Sequence, residues 1–569
     1  MELIIFLIVV LGLIFILMLK GAMDEKKREQ AYRNYLKTEY GSYQTKALSK
    51  AELQNLSQSG KLQTKEMEQA DSRTGCGRID DITWNDCDMD QIFEQMNLTQ
   101  SSAGEEYLYG MLRNPQLSVD KLEGLEEKIQ YYMSEKEERL QMQMSLWKLG
   151  HTGKYSIYDY IRYISEGKRE KNTRHYLMFG LLIAAFGSIF INTTFGVCAL
   201  IVVACMNIVS YLNHKKQMTS FLTGFSYVGR LMETTDEILK NHRQQDEMFQ
   251  KLQQERKALE PFAKHANTLV RMNASSGNPL SMVFDYVRML THLDLISFNN
   301  MMAVLQEHQN GVLYLLDMIG FLDSVIAIGA FRMSLKTWCV PELTEGMDAT
   351  MQMKDAYHPL LKNPVCNDIL CKRGVLVTGS NASGKSTFLK TVALNAILSQ
   401  TIHTAVASEY QGGLYQIYSS MSLRDNITGG ESYYMVEIKA LKRIVDEVEQ
   451  DREHPLLCFV DEVLRGTNTV ERIAASTQIL KRLSQRGIYC FAATHDIELT
   501  HLCGDVYDNY HFKEEIDGKD VVFSYKLLNG RAESRNAIKL LGMIGFEDQL
   551  ITEAESLAER FLKSGQWKA

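Results

Sequence analysis

From Gly374 to Leu398 the chain reads GVLVTGSNASGKSTFLKTVALNAIL. A short apolar β-run leads into the spacing G-x-x-x-x-G-K-S and then into an apolar helical continuation. That order cradles a nucleoside triphosphate on backbone N–H groups at a helix N-terminus. Gly379, Ser380, Asn381, Ala382, Ser383 and Gly384 form the loop. Lys385 supplies the charge that reaches the β- and γ-phosphate oxygens, and Ser386, with Thr387 beside it, offers a hydroxyl to a metal ion. ATP and Mg²⁺ are the expected ligands.

A second constellation follows. PLLCFVDEVLRGTNT, from Pro455 to Thr469, is an apolar strand ending in Asp461-Glu462. A carboxylate at the tip of a strand beside the P-loop holds Mg²⁺ through water, the role expected of Asp461. Glu462 is placed to polarise the attacking water as general base. A third apolar run, GIYCFAATHD, ends in Thr494-His495, which sets His495 at the end of a strand of the same sheet, within reach of a γ-phosphate. Lys385, Glu462 and His495 are therefore the expected catalytic residues, with Ser386 and Asp461 as the metal ligands.

The rest of the chain must position these groups. At 569 residues and 45% apolar composition it has room for two to four domains with sizeable cores. Its net charge of −8 provides no overall basic field for sequence-independent nucleic-acid binding. The ten cysteines fall singly, without a C-x-x-C pair, which reads as reduced thiols and no zinc site.

Two segments are membrane-like. Leu3 to Leu19 is uncharged and is followed by Lys20, Lys26, Lys27 and Arg28, the pattern of an uncleaved anchor. Tyr176 to Asn213 is also uncharged and is broken by the turn-prone Asn192-Thr193-Thr194, which predicts a tight transmembrane hairpin. Lys168, Arg169, Lys171 and Arg174 before the hairpin and Lys215 and Lys216 after it put both its ends in the cytoplasm. Three spans are expected in all, in a multi-pass cell-membrane protein with its nucleotide site in the cytoplasm.

The motifs resemble one family, the MutS mismatch-repair ATPases, whose nucleotide domain is of the ABC class. The resemblance covers AYHPLL from Ala356, TGSNASGKSTFLKTV with Asn381 inside it, ESYYMVEIKAL from Glu431, DEVLRGTNT from Asp461 and ATHDIELT from Ala493. It extends more weakly to Gln91–Ile129, where Asn97, Thr99, Gly104, Leu108 and Pro115 match the start of the family's helical core. The resemblance implies a dimer in which Ser432 of one chain completes the nucleotide site of the other. DNA binding, to mismatched or branched DNA, is implied on the same ground.

The expected fold class is thus an α/β P-loop (ABC-class) ATPase domain preceded by an all-α MutS-like core, with a transmembrane hairpin interrupting the core and an N-terminal anchor. The expected bounds are 1–23 for the anchor, 24–85 for a polar cytoplasmic segment, 86–175 and 214–340 for the two parts of the core, 176–213 for the hairpin and 341–569 for the ATPase domain.

Departures from the family pattern shape the functional reading. Tyr433-Tyr434 replace Thr-Phe in the signature, Leu464 stands for a usual glycine, and Val470-Glu471 replace Phe-Asp. Near NPVCND, where the family places an adenine-stacking ring, there is no aromatic residue. The first 90 residues contain no Phe-x-Glu mismatch wedge. The hairpin also falls where the family inserts its DNA clamp. Two functions follow: a membrane-anchored MutS-family ATPase that binds DNA, or a dimeric ATP-driven membrane machine acting on a protein or lipid partner.

Overall fold

The computed structural model describes residues 2–43, 45–58, 78–153, 156–241, 246–273, 286–380, 383–421, 433–464, 467–517, 520–532, 538, 541 and 545–564. Its chain divides into two compact units, one of residues 1–63, 97–110 and 129–330, the other of residues 64–96, 111–128 and 331–569. The fold is mostly helical with two mixed sheets. The helical core expected over 86–175 is shared between the units, its 89–96 and 119–128 parts grouping with the second unit.

In the second unit a six-stranded sheet has the order β10-β9-β4-β8-β7-β6, with β4 at Gly374–Thr378, β6 at Gln416–Ser420, β7 at Leu456–Asp461, β8 at Ile488–Thr494, β9 at Tyr507–Asp517 and β10 at Asp520–Asn529. All neighbours from β9 to β6 are parallel, and β10 closes the edge as an antiparallel hairpin with β9. β4, β7 and β8 are buried along their whole length, as continuous apolar runs in a sheet covered on both faces must be. A smaller sheet has the order β1-β5-β2-β3, from Glu342–Thr344, Glu409–Gly413, Met351–Ala356 and Asn367–Cys371.

The edge strand β6 does not end the assembly. The short helix Asp81–Asp86 covers it: Ser419 N donates to Thr83 Oγ1 at 3.0 Å, and Asp86 accepts from Ser419 Oγ at 2.7 Å and Met421 N at 2.8 Å. Side chains thus take amides that an edge strand would otherwise expose.

The first unit is helical. Asp323 is buried and accepts hydrogen bonds from Gln100 N, Ser101 N and Ser101 Oγ at 2.7–3.0 Å, which holds the serine whose Oγ caps the helix Ser102–Arg113 by accepting from Gly104 N at 3.1 Å. Burial raises its carboxyl to about 6, against those three hydrogen bonds. A Cβ on Gly104 would lie 2.2 Å from Asp323 Oδ2, so this approach requires glycine. Asn97 Nδ2 donates to Glu105 at 2.6 Å and Thr99 Oγ1 to Asn97 Oδ1 at 2.6 Å, which joins the motif residues Asn97 and Thr99 in one local network.

The hairpin differs from its expected outline. Its first helix, Thr173–Ser188, has 16 residues, and its second runs without a break from Thr193 to Asn241, 49 residues in all. The expected boundary at residue 213 therefore lies inside a helix. Asn192 sits at the turn, where its Oδ1 accepts from Phe195 N at 3.1 Å. Among the described residues two helical segments are long and apolar enough to cross a membrane, Thr193–Lys215 and Gln309–Ser334. The second is 72% buried over its apolar window, which is the behaviour of a core helix. The first hairpin arm spans only ~24 Å at 1.5 Å per residue. The helix Glu2–Glu39 contains the expected anchor, most of whose side chains lie outside the described residues. Among the described residues length and composition support the second arm of the hairpin as a span, and the expected anchor lies mostly outside them.

That arm and its partner carry a continuous run of exposed apolar side chains, with Phe186 57%, Phe190 82%, Ile191 90% and Phe195 66% exposed around the turn. Leu177, Leu181, Ile201 and Val209 extend the same character along both helices.

Candidate functional site

The P-loop lies between the end of β4 and the helix Lys385–Thr401. Gly379 and Gly384 have φ of +153° and +103°. A Cβ on Gly384 would stand 3.1 Å from Tyr525 Cδ1, and one on Gly379 would stand 2.8 Å from Ser383 Oγ. Left-handed backbone and close approach together require glycine here. Lys385, 5% exposed, donates from Nζ to the carbonyls of Gly379 and Ser380 at 2.8 Å each, so its ammonium lies over the loop rather than in solvent. Ser380 Oγ donates to the buried carboxylate of Glu514 on β9. Asn381 and Ala382, and the trans-acting candidate Ser432, lie outside the described residues.

The two metal candidates meet. Ser386 Oγ donates to Asp461 Oδ2, so the P-loop hydroxyl and the carboxylate closing β7 converge on one point. A hard cation that keeps several waters and takes one carboxylate plus phosphate oxygens fits that donor set.

Glu462 follows at φ +55°, with Leu464 at φ +59°. Left-handed backbone at residues other than glycine costs ~1–2 kcal/mol each. Leu464, 7% exposed, packs into the core of the sheet, which holds it in that conformation. The turn aims Glu462 at His495, whose Nδ1 is 3.5 Å from Glu462 Oε1.

His495 is flanked by a second carboxylate, Asp496 Oδ1 at 3.7 Å from Nε2. Asp496 is clamped: Arg472 donates to it from Nε at 2.9 Å and from Nη2 at 2.7 Å, and its own N–H donates to Thr494 Oγ1 at 3.0 Å. The Arg472–Asp496 fork was not foreseen from the sequence, since nothing local marks two residues 24 apart as partners.

His495's pKa is raised, first by its hydrogen bond to Glu462 and then, against desolvation, by the charges of Asp496 and Glu462, while Arg472 opposes the rise. The His495–Glu462 pair is therefore fully present below the ordinary histidine range and is lost as pH rises through the raised value. Arg472→Gln leaves Asp496's charge to act on His495 and is expected to move the imidazole titration, followed by NMR of the nucleotide-free protein, to higher pH. Asp496→Asn is expected to move it lower. Titration unmoved in both variants would show that Asp496 does not act on His495.

A cavity of about 530 Å³ opens beside the loop, lined by His358, Val365, Ser383, Thr391, Phe512 and Tyr525 among others. A ring from β10 also lines it. β9 and β10 lose register between Phe523 and Leu527, and Tyr525 sits in that bulge at φ +51°. Asn367, itself within NPVCND, pins the bulge by donating to Tyr525 O at 3.0 Å and accepting from Leu527 N at 2.8 Å. A bulge re-aims one side chain out of the alternation of its strand. Tyr525, 45% exposed, stands at the mouth of the P-loop with its ring tilted against that of Phe523 at 5.9 Å.

Residues 375–562 match the family described as MutS domain V. The matched segment begins in β4 and ends in the last described helix, Asp548–Ser564. The chain is 28% identical over 287 residues to the DNA mismatch repair protein MutS of Thermotoga petrophila, covering 48% of this chain and 34% of that one. It is 31% identical over 214 residues to the DNA mismatch repair protein MutS of Thermus aquaticus, covering 37% and 26%. It is 30% identical over 269 residues to MutS protein homolog 4 of Mus musculus, covering 44% and 27%. The chain thus matches between a quarter and a third of the length of these MutS relatives.

Proposed function

We propose that this protein is a Mg²⁺-dependent ATPase of the MutS type that works as a dimer at a cell membrane, with its nucleotide site in the cytoplasm. The observation that carries the ATPase reading is the convergence of Lys385, Ser386, Asp461, Glu462 and His495 at the C-terminal ends of β4, β7 and β8. Mg²⁺, held by Ser386 and Asp461, would neutralise charge on the β- and γ-phosphates. Lys385 would bind the same oxygens. Glu462 would take the proton of the attacking water, and His495 would lie beside the γ-phosphate. Ser432 of the partner subunit would close the site. Hydrolysis that requires Mg²⁺ and stops on its chelation tests the reading, and turnover indifferent to chelation would defeat it.

Tyr525 is the adenine platform in this scheme. Stacking of a base on an aromatic ring is worth ~1–3 kcal/mol, so Tyr525→Ala is expected to weaken ATP binding roughly tenfold, with Tyr525→Phe near wild type. Equal loss in both variants would tie the effect to the hydroxyl or the bulge instead.

The membrane reading rests on the exposed apolar side chains along the hairpin, since a contiguous exposed apolar patch marks an interaction surface. It makes a lipid or protein partner the leading target of the motor. DNA binding is the second reading, favoured by the relatives that are named for DNA mismatch repair. Titration of full-length protein with duplex, mismatched and branched DNA across salt concentrations separates them. Binding that falls steeply with salt supports DNA; no binding at low salt with ATP present removes it.

A further inference from the structure

Where the two hairpin helices join the rest of their unit, a cavity of about 580 Å³ lies among the end of the helix Ile157–Glu166, the connector that follows it, the long helix Thr193–Asn241 and the helix Leu293–Glu307. We propose that this cavity binds one anionic phospholipid, headgroup at Lys168 and acyl chain against its aromatic wall. The proposal rests on the membrane reading above, since it places the cavity at the level where lipid headgroups lie.

The cavity is amphipathic. One side is apolar: Phe221 stacks on Tyr163 at 4.7 Å between centroids and tilts against Phe298 at 5.7 Å, with Leu295 and Met302 completing the wall. A soluble anion has no use for such a wall, whereas an acyl chain does. Its volume lies within the range of sites that enclose a small amphiphile.

The other side is polar and fixed. His175 lines the cavity although only 2% exposed. The carbonyl of Asn207 can only accept, so His292 donates to it from Nε2 at 3.0 Å; His292 Nδ1 must then accept from His175 Nδ1, 3.0 Å away. That leaves Nε2 of His175 as its ring nitrogen available to a ligand. His214 is held by donating from Nδ1 to Ser210 O at 2.7 Å, with Nε2 3.5 Å from Glu170.

Lys168 lines the cavity together with Glu166 and Glu170, and Glu170 already faces His214. Outside the lining, Arg169, Lys171, Arg174 and Lys215 are exposed at this end of the hairpin, so that cations outnumber carboxylates five to two over the whole collar. Among the described residues none of Lys168, Arg169, Lys171 and Arg174 forms a salt bridge. Such a collar next to an exposed apolar surface matches an anionic leaflet, where each cation near the surface contributes roughly fivefold in affinity.

The test uses full-length protein purified in detergent micelles that contain phosphatidylglycerol and phosphatidylcholine in equal amounts, with retained lipid measured by mass spectrometry. Phosphatidylglycerol is expected to be enriched. Lys168→Gln should reduce the enrichment roughly fivefold, and Met302→Trp, which fills the apolar end, should lower total retained lipid, both with wild-type ATP turnover as the measure of folding. Equal retention of the two lipids, or enrichment unchanged in Lys168→Gln, would overturn the site. A separate alkaline carbonate wash of vesicles carrying the protein tests the reading beneath it. Protein released to the supernatant overturns membrane insertion and the site together, while protein kept in the pellet without lipid preference overturns the site alone.

Discussion

Glu462→Gln is expected to slow ATP turnover by ~100-fold or more, the contribution of a positioned general base, while ATP stays bound and the dimer accumulates. The amide keeps the size of the carboxylate but cannot take the proton of the attacking water. Its surroundings support that role: Glu462 is mostly buried, the left-handed turn at 462 and 464 fixes its direction, and its neighbour His495 is itself held between two carboxylates. Lys385→Ala should fail at the earlier step, because the ammonium over the loop carbonyls belongs to binding. The pair of variants therefore separates chemistry from affinity: one should hold ATP without hydrolysing it, the other should not hold it. A sizing column run with ATP, together with single-turnover hydrolysis, reads both. If Glu462→Gln turns over normally, the base is some other group, and the assignment of β7's end to catalysis is lost.

How far this site could be read from residues alone depends on how local its causes are. The P-loop was legible because glycines, lysine and serine at fixed spacing, between an apolar β-run and a helix, serve one purpose in one place. Asp461 and Glu462 were legible only after it, since an apolar strand ending in two acids has no meaning until a phosphate site lies beside it. Tyr525 was not legible: its position depends on a slip in strand register pinned by Asn367, 158 residues away. The same holds for Arg472 with Asp496, and for the helix Asp81–Asp86, which reads as part of a polar lead-in and instead covers the edge of β6 through Thr83 and Asp86. In the hairpin, the uncharged run revealed the apolar surface and the Asn192 turn. It could not show that the second helix continues past the run, because the amphipathic sequence after residue 213 keeps a helical period and nothing there stops the helix.

Arg332→Met is expected to destabilise the second unit by ~3–5 kcal/mol, the cost of breaking a buried ion pair by removing one member. Arg332 is fully buried and forks onto Glu126, from Nη1 at 2.8 Å and from Nη2 at 2.6 Å. Its remaining donors go to Thr404 Oγ1 and the carbonyl of His403, both at 2.8 Å, and its guanidinium lies 4.8 Å over Trp338. Those acceptors directly follow the C-terminal end of the P-loop helix, where Gln400 O also accepts from Gln116 N at 2.7 Å. The fork therefore fixes the far end of the helix whose N-terminus would hold the phosphates. Removing the guanidinium takes both hydrogen bonds of the fork from Glu126, which is 15% exposed and also faces His403 Nδ1 at 3.3 Å. Adding Glu126→Leu removes the other member of the fork, and replacing both members of a buried pair by apolar groups is often close to neutral. The double variant should consequently regain most of the stability. Urea titrations of the two variants decide it through their midpoints at equal slope. A single variant within ~0.5 kcal/mol of wild type, the range of ordinary surface changes, would mean that the end of the P-loop helix is held by the Gln116 contact and packing instead.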